Sequence, residues 1–117
     1  MQPRTPKYLE DIRRAAGFIL EATHGRSEAS YLEDRLLRHA VERNFEVIGE
    51  ALRRVAEHDP EAAGRISDHQ KIISFRNLLI HGYDLVDDPF VWTVIQNQLP
   101  LLHDEVSALL KAHSADM

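Results

Sequence analysis

In four segments of the chain, apolar residues recur with the period of an α-helix. The first segment runs from about Lys7 to Thr23 and repeats its apolar residues at spacings of three and four, whereas a strand would alternate every second residue. The second runs from about Ser30 to Glu57, and the third from about Asp68 to His81. The fourth starts near Asp88. The pattern predicts an all-α protein, an up-and-down bundle of four to five helices.

Proline, glycine and aspartate mark where these helices end and begin. His24-Gly25 follows the first segment, and Asp59-Pro60 closes the second, since the residue before proline is steered away from helix. Asp87-Asp88-Pro89 is typical of an N-cap followed by proline at the first helical position. Pro100 is predicted to kink or divide the last helix. The tail from His113 to Met117 is expected to fray.

Three features of the apolar stripes carry further expectations. Phe18 and Leu36 fall on the stripes of the first two helices and are expected to face the core. Asn44 interrupts the second stripe, where a buried amide needs a hydrogen-bond partner. The third helix is apolar almost all round, which is typical of a helix that is central in a bundle or shared with a partner chain.

Length and composition narrow the class of protein. The chain has 117 residues, 44% of them hydrophobic and none of them cysteine. This length predicts a single domain over residues 1–117, and the lack of cysteine excludes disulfides, thiolate zinc sites and cysteine nucleophiles. No apolar run approaches the roughly 20 residues that span a bilayer, and Met1–Thr5 is not typical of a signal peptide. We therefore expect a soluble, cytoplasmic protein.

The net charge of −5 does not exclude a nucleic-acid partner, because the charge is unevenly distributed. Residues 1–83 carry 13 cationic and 13 acidic side chains, whereas residues 84–117 carry one lysine and six acids. Eleven of the cations are arginine, which can grip phosphate in a bidentate manner. Ordinary solvated helix faces explain such charges equally well. Candidates to line a groove for a nucleic acid lie on the second helix, interspersed with glutamates: Arg35, Arg38, Arg43, Arg53 and Arg54.

Side chains capable of chemistry cluster at the C-terminal end of the third helix. Arg76, Asn77, His81 and Tyr83 stand there among apolar residues. An ordinary interpretation makes Arg76 a salt-bridge residue, His81 a helix cap and Tyr83 a packing residue. Asn77 and His81 lie roughly 40° apart on a helix, but Arg76 and His81 lie roughly 140° apart. One chain therefore does not easily bring Arg76 and His81 together, whereas two copies of this helix could. Histidine suits acid–base work, and arginine suits a charged phosphoryl transition state.

At these residues the sequence resembles a known family. The segment Arg76–Tyr83 matches the R-x4-H-x-Y motif of HEPN-domain ribonuclease toxins, in particular the HepT-like proteins. A second segment, Arg43–Ala51, is similar to the family's second-helix segment ending in I-G-E-A. The start of the last helix, Asp88-Pro89 with Trp92, also fits, so the resemblance covers nearly the whole chain.

The resemblance implies a HEPN-like homodimer whose two motifs form a composite active site for metal-independent RNA cleavage. It implies that His81 takes the 2′-hydroxyl proton or protonates the leaving oxygen. Arg76 then stabilises the pentacoordinate phosphate, and Asn77 is a positioning residue. No metal and no cofactor are expected. The acidic residues that follow the motif are better explained as loop and N-cap residues than as metal ligands: Asp84, Asp87 and Asp88.

The resemblance further implies the toxin half of a type VII-like toxin–antitoxin pair, acting on an RNA such as tRNA or mRNA. The implied partner is a minimal nucleotidyltransferase antitoxin of the MntA type, which neutralises the toxin by adenylylation of the motif tyrosine, here Tyr83. The attached AMP would add bulk and negative charge two residues from His81. A base-stacking or structural role for Tyr83 is equally compatible with the sequence.

Two other classes of function stay open at this point. The chain could be a catalytically silent helical module that binds nucleotide or scaffolds a nucleotidyltransferase, or a dimeric interaction protein with a polar interface. The presence of all four motif residues favours the nuclease, because a scaffold does not need them: Arg76, Asn77, His81 and Tyr83. Gly49 either allows two helices to approach closely or is an incidental small residue.

Overall fold

Seven α-helices and one 3₁₀ turn, with no strand, form the protein in a computed structural model that describes residues 1–117. Five helices have ten or more residues and two are shorter, so the prediction of an all-α fold is confirmed. No helix combines the length and the apolar character needed to cross a membrane. In chain order the elements are α1 (Thr5–Thr23), α2 (Glu28–Glu33), α3 (Arg35–His58), α4 (Pro60–Gly64), α5 (His69–His81), the 3₁₀ turn (Tyr83–Leu85), α6 (Asp88–Asn97) and α7 (Leu99–Ala115).

The long second helix predicted from Ser30 to Glu57 is interrupted at Asp34, and this part of the prediction is wrong. Asp34 has an extended backbone, and its carboxylate accepts a hydrogen bond from the Leu37 backbone N–H at 3.0 Å. An aspartate in this conformation starts a new helix, because its side chain satisfies one of the free N–H groups of the first turn. The apolar pattern continues across the break, which is why periodicity alone did not detect it.

The predicted division of the last helix is confirmed. α6 ends at Asn97 and α7 begins at Leu99, so that Pro100 lies in the first turn of α7. Proline is tolerated there, because its missing N–H would have no partner within the helix. The N-cap of α6 is Asp87, one residue earlier than expected, and α7 continues to Ala115 through part of the tail that was expected to fray.

The core lies where α3 packs against α1 and α5, and where α1 packs against α7. Twenty-five buried hydrophobic residues form one cluster. Phe18 and Leu36, which were expected to face the core, are not in it: Phe18 is about half exposed, and Leu36 is 82% exposed, in the first turn of α3. Asn44 needs no partner from another helix, since its side-chain amide donates to the Ala40 carbonyl one turn earlier at 2.8 Å.

Asp59, between α3 and α4, ties the start of the chain to the bundle. It is 7% exposed, and its carboxylate accepts hydrogen bonds from the Gln2 backbone N–H, the Thr5 hydroxyl and the Ala62 backbone N–H at 2.8–3.1 Å. These bonds, led by that from Gln2, hold the pKa of Asp59 below its usual value. One side chain therefore caps α4 and fixes the start of α1.

Candidate active site

Arg76 lies on the face of α5 that packs against α3, directly over Gly49. A Cβ placed at Gly49 would be 2.1 Å from Cβ and 2.4 Å from Cγ of Arg76. No side chain fits at such distances, so glycine sets the close approach of the two helices at this point. The interpretation of Gly49 as a residue that allows close helix approach is confirmed.

The guanidinium of Arg76 is held by two polar neighbours. Its Nη2 donates to Oε2 of Glu50 at 3.0 Å, and its Nη1 donates to Oδ1 of Asn77 at 2.9 Å. The side chain is 20% exposed, and its Nε is buried without a hydrogen-bond partner in the chain. Arg76 is thus fixed in orientation. Asn77, which was expected to be a positioning residue, is one of the two side chains that hold its guanidinium.

Glu50 is the residue of this site that sequence reasoning missed. Besides Arg76, it accepts hydrogen bonds from Nη2 of Arg53 at 2.7 Å and from Nε of Arg54 at 3.1 Å. These bonds, led by those from Arg53, lower the pKa of Glu50 to about 2. The available signal was the I-G-E-A segment itself, in which an acid directly follows the glycine.

His81 and Tyr83 lie at the other end of the motif and are open to solvent. His81 is the last residue of α5, is exposed, and makes no side-chain hydrogen bond within the chain. Gly82 follows it as the C-cap, where its N–H donates to the Leu78 carbonyl at 2.8 Å. Tyr83 opens the 3₁₀ turn and is 80% exposed. It is therefore not the packing residue of the ordinary interpretation.

Arg76 and His81 start from different faces of α5, as their spacing on the helix predicts. Arg76 faces α3, whereas His81 belongs to the exposed face of α5 with Ser74 and Leu78. No hydrogen bond joins Arg76 to His81, whose positions differ by roughly 140° around the helix axis. The two side chains are therefore not joined directly within one chain.

Most of the arginines proposed for a groove on α3 are occupied by acids of the same chain. Arg38 pairs with Asp88 and Arg43 with Glu46, both at 3.3–3.4 Å. Arg53 and Arg54 are bound to Glu50. Arg35 alone among the five makes no ion pair. The row is thus a series of ion pairs, and Arg35 is its one arginine without an acidic partner.

Two of the three acidic residues after the motif have structural partners. The Asp87 carboxylate accepts from the Phe90 N–H at 3.1 Å and caps α6, while Asp88 pairs with Arg38. Asp84 lies in the exposed 3₁₀ turn. No three or more histidine, aspartate and glutamate side chains are grouped closely enough to hold a metal ion.

Comparison with known proteins finds one family. A family model described as "Ribonuclease HepT-like" matches residues 12–109. The chain is 30% identical over 109 residues to "Putative RNase TTE0752" of Caldanaerobacter subterraneus subsp. tengcongensis, which covers 92% of this chain and 96% of that protein. It is 32% identical over 108 residues to "Probable ribonuclease HepT" of Thermococcus cleftensis, with 89% and 94% covered. No solved structure matches the chain.

Proposed function

The chain belongs to the ribonuclease HepT-like family, and from this premise we propose that it is a metal-independent endoribonuclease. It acts in the cytoplasm as the toxin half of a type VII-like toxin–antitoxin pair. The observation that carries the proposal is the R-x4-H arrangement itself: a fixed arginine facing α3 and an exposed histidine at the end of the same helix.

The proposed reaction is transesterification within the RNA backbone. His81 removes the proton of a 2′-hydroxyl, and the 2′ oxygen attacks the adjacent phosphorus. Arg76 stabilises the negative charge of the pentacoordinate phosphate. The bond to the 5′ oxygen then breaks, and a proton from the histidine of the second motif neutralises that oxygen. The products are a 2′,3′-cyclic phosphate and a free 5′-hydroxyl, so the step needs neither water nor a metal ion.

A homodimer is part of this proposal, because Arg76 and His81 of one chain do not face the same phosphate. The exposed face of α5 supports it: His81 lies there beside Leu78, which is 47% exposed on a helix rich in apolar residues. A second copy packed on this face would cover Leu78 and bring two motifs into one groove.

Control by adenylylation of Tyr83 completes the proposal. Tyr83 is accessible to a transferase of the MntA type, since it is the most exposed tyrosine of the three and begins a surface turn. AMP on its hydroxyl would put a negative charge two residues from His81 and repel the RNA backbone. A base-stacking role for the same exposed ring is the alternative for this residue.

A catalytically silent module that binds nucleotide or scaffolds a nucleotidyltransferase is the second candidate. The observation in its favour is that Arg76 is already ion-paired, to Glu50, as a structural arginine would be. The two candidates differ in whether the chain cleaves RNA without a partner.

The experiment that decides is incubation of the purified chain with total RNA in EDTA, beside His81→Ala and Arg76→Ala. We expect cleavage by the parent, and losses of roughly a hundredfold or more in both variants at unchanged oligomeric mass. Intact mass of the parent must show no adenylyl group, since a modified chain is the neutralised form. Cleavage that persists in both variants, or an unmodified parent that is inactive, would contradict the proposal.

A further inference from the structure

Glu50 binds the guanidinium of Arg76, although it lies 26 positions earlier in the chain. It belongs to α3, whereas Arg76 belongs to α5, and the two helices approach at Gly49. The stem of Arg76 crosses Gly49 at van der Waals contact, and its guanidinium then meets the carboxylate of the next residue. The contact follows from the backbone crossing and not from a chance rotamer of an exposed side chain.

The carboxylate of Glu50 is shared by three guanidinium groups, those of Arg53, Arg54 and Arg76. Three positive charges thus surround one negative charge, and Glu57 offsets one more through its pair with Arg53. The cluster keeps a net positive charge of one. A one-to-one pair would have cancelled the charge of Arg76, whereas this arrangement fixes its direction and leaves the cluster attractive to an anion.

The hydrogen bond from Arg76 to Asn77 also fixes the direction of the guanidinium. Nη1 is held by Asn77, so that the two terminal nitrogens are each bound on one edge, and the side chain is four-fifths covered. A guanidinium fixed at both terminal nitrogens loses little freedom when a phosphate binds, which is how preorganised charge lowers a barrier.

We propose that Glu50 is the positioning residue of the arginine: it orients Arg76 for the phosphate, while Arg53 and Arg54 keep the cluster cationic by sharing the same carboxylate. This inference rests on the proposed ribonuclease function. Glu50 touches neither RNA nor the reacting atoms in this scheme, so its effect is on kcat through the orientation of Arg76.

The first test compares Glu50→Gln with Glu46→Gln. Glu46 is the matched control, since it lies one turn earlier on α3, pairs with Arg43 and has nearly the same side-chain exposure, 29% against 32%. For Glu50→Gln we expect kcat to fall by about tenfold or more while KM changes by less than about threefold. Glu46→Gln should keep parental values. Glu50→Asp, which retains the charge on a shorter side chain, should have a kcat between those of Glu50→Gln and the parent.

The second test uses free guanidinium ion as the probe. In Arg76→Ala the removed side chain leaves space beside Glu50, and added guanidinium chloride at low millimolar concentration should restore part of the cleavage. The double variant Arg76→Ala with Glu50→Gln should show no such recovery, whereas Arg76→Ala with Glu46→Gln should. A structural role for Glu50 does not predict this dependence.

Three outcomes overturn the inference. Parental kcat in Glu50→Gln, with the same melting temperature and oligomeric mass, shows that Arg76 needs no orientation from Glu50. Equal rescue by guanidinium with and without Glu50 leads to the same conclusion. If Glu50→Gln fails to fold, the folded Glu50→Asp replaces it: equal guanidinium rescue of Arg76→Ala and of Arg76→Ala with Glu50→Asp, beside an inactive Glu50→Asp, assigns Glu50 a structural role. If the unmodified parent is inactive, the proposed ribonuclease function is wrong, and so is the inference that rests on it.

Discussion

Gly49 and Arg76 are in van der Waals contact across the α3–α5 crossing, at a distance that excludes any side chain at position 49. The contact joins the I-G-E-A segment, residues 48–51, to the R-x4-H-x-Y motif, residues 76–83, and the two contacting residues are 27 positions apart along the chain. Two sequence features that looked independent are therefore two sides of one site.

Gly49→Ala should displace Arg76 or separate α3 from α5. Either change strains a packed contact, and we expect the free energy of unfolding to fall by about 1–3 kcal/mol, as in other overpacked cores. Gly64→Ala is the control, since a Cβ at Gly64 meets no atom within 4 Å. Urea denaturation of the two variants measures the difference. Equal stability of both would mean that the crossing adjusts without strain.

Mixing Arg76→Ala with His81→Ala chains should restore activity that neither variant has alone. In a composite groove, the mixed dimer keeps one Arg76 and one His81, on different chains, and lacks the second histidine that protonates the leaving oxygen. Random exchange makes half of the dimers mixed, so we expect a partial recovery that stays below half of parental cleavage. The measurement is the cleavage rate after the two variants are co-refolded. No recovery would place Arg76 and His81 of one chain in one site.

Leu78→Glu should convert the proposed dimer to a monomer and abolish RNA cleavage. Leu78 lies half exposed on the α5 face that carries His81, and a buried unpaired carboxylate at an interface is strongly unfavourable. Leu36→Glu is the control, because Leu36 is more exposed and lies at the start of α3. Light scattering after gel filtration gives the mass. If Leu78→Glu is still a dimer, the interface does not lie on this face of α5.

Tyr83→Phe should lose adenylylation by an MntA-type transferase with ATP while retaining RNA cleavage. The hydroxyl is the only group removed, and the ring is 80% exposed, so stability should stay within about 0.5 kcal/mol of the parent. Tyr8→Phe and Tyr31→Phe test the other two tyrosines and should still accept AMP. Intact mass after incubation reports the modification. A modified Tyr83→Phe chain would show that the acceptor is another residue.

Asp59→Asn should destabilise the protein near pH 7 and have little effect in acid. Because the folded-state pKa of Asp59 is lowered, its contribution is present above the unfolded value of about 3.9 and is lost as the pH falls through the folded value. We expect a cost of about 1–2 kcal/mol at neutral pH. Asp104→Asn, at an exposed position of α7, is the control. Urea denaturation from pH 3 to pH 7 measures both; a difference that does not depend on pH would contradict the ionic role of Asp59.

Most of the fold follows from local information in the sequence. The helical period placed the long helices, and Pro100 placed the division between α6 and α7. The break at Asp34 was missed, because the apolar stripe continues through it and only the backbone conformation separates α2 from α3. Leu36 was assigned to the core for a related reason: a stripe predicts which side of a helix is apolar, not whether another helix covers that turn.

The sequence by itself determined the helical class, the motif and the angular separation of Arg76 from His81, because all three depend on residue type and on spacing along one helix. Only the tertiary structure decided that Gly49 lies against Arg76 and that the carboxylate of Glu50 accepts hydrogen bonds from three guanidinium groups. The reason is physical. A contact between α3 and α5 depends on how two helices cross, and the crossing is set by packing over the whole interface and not by any local pattern.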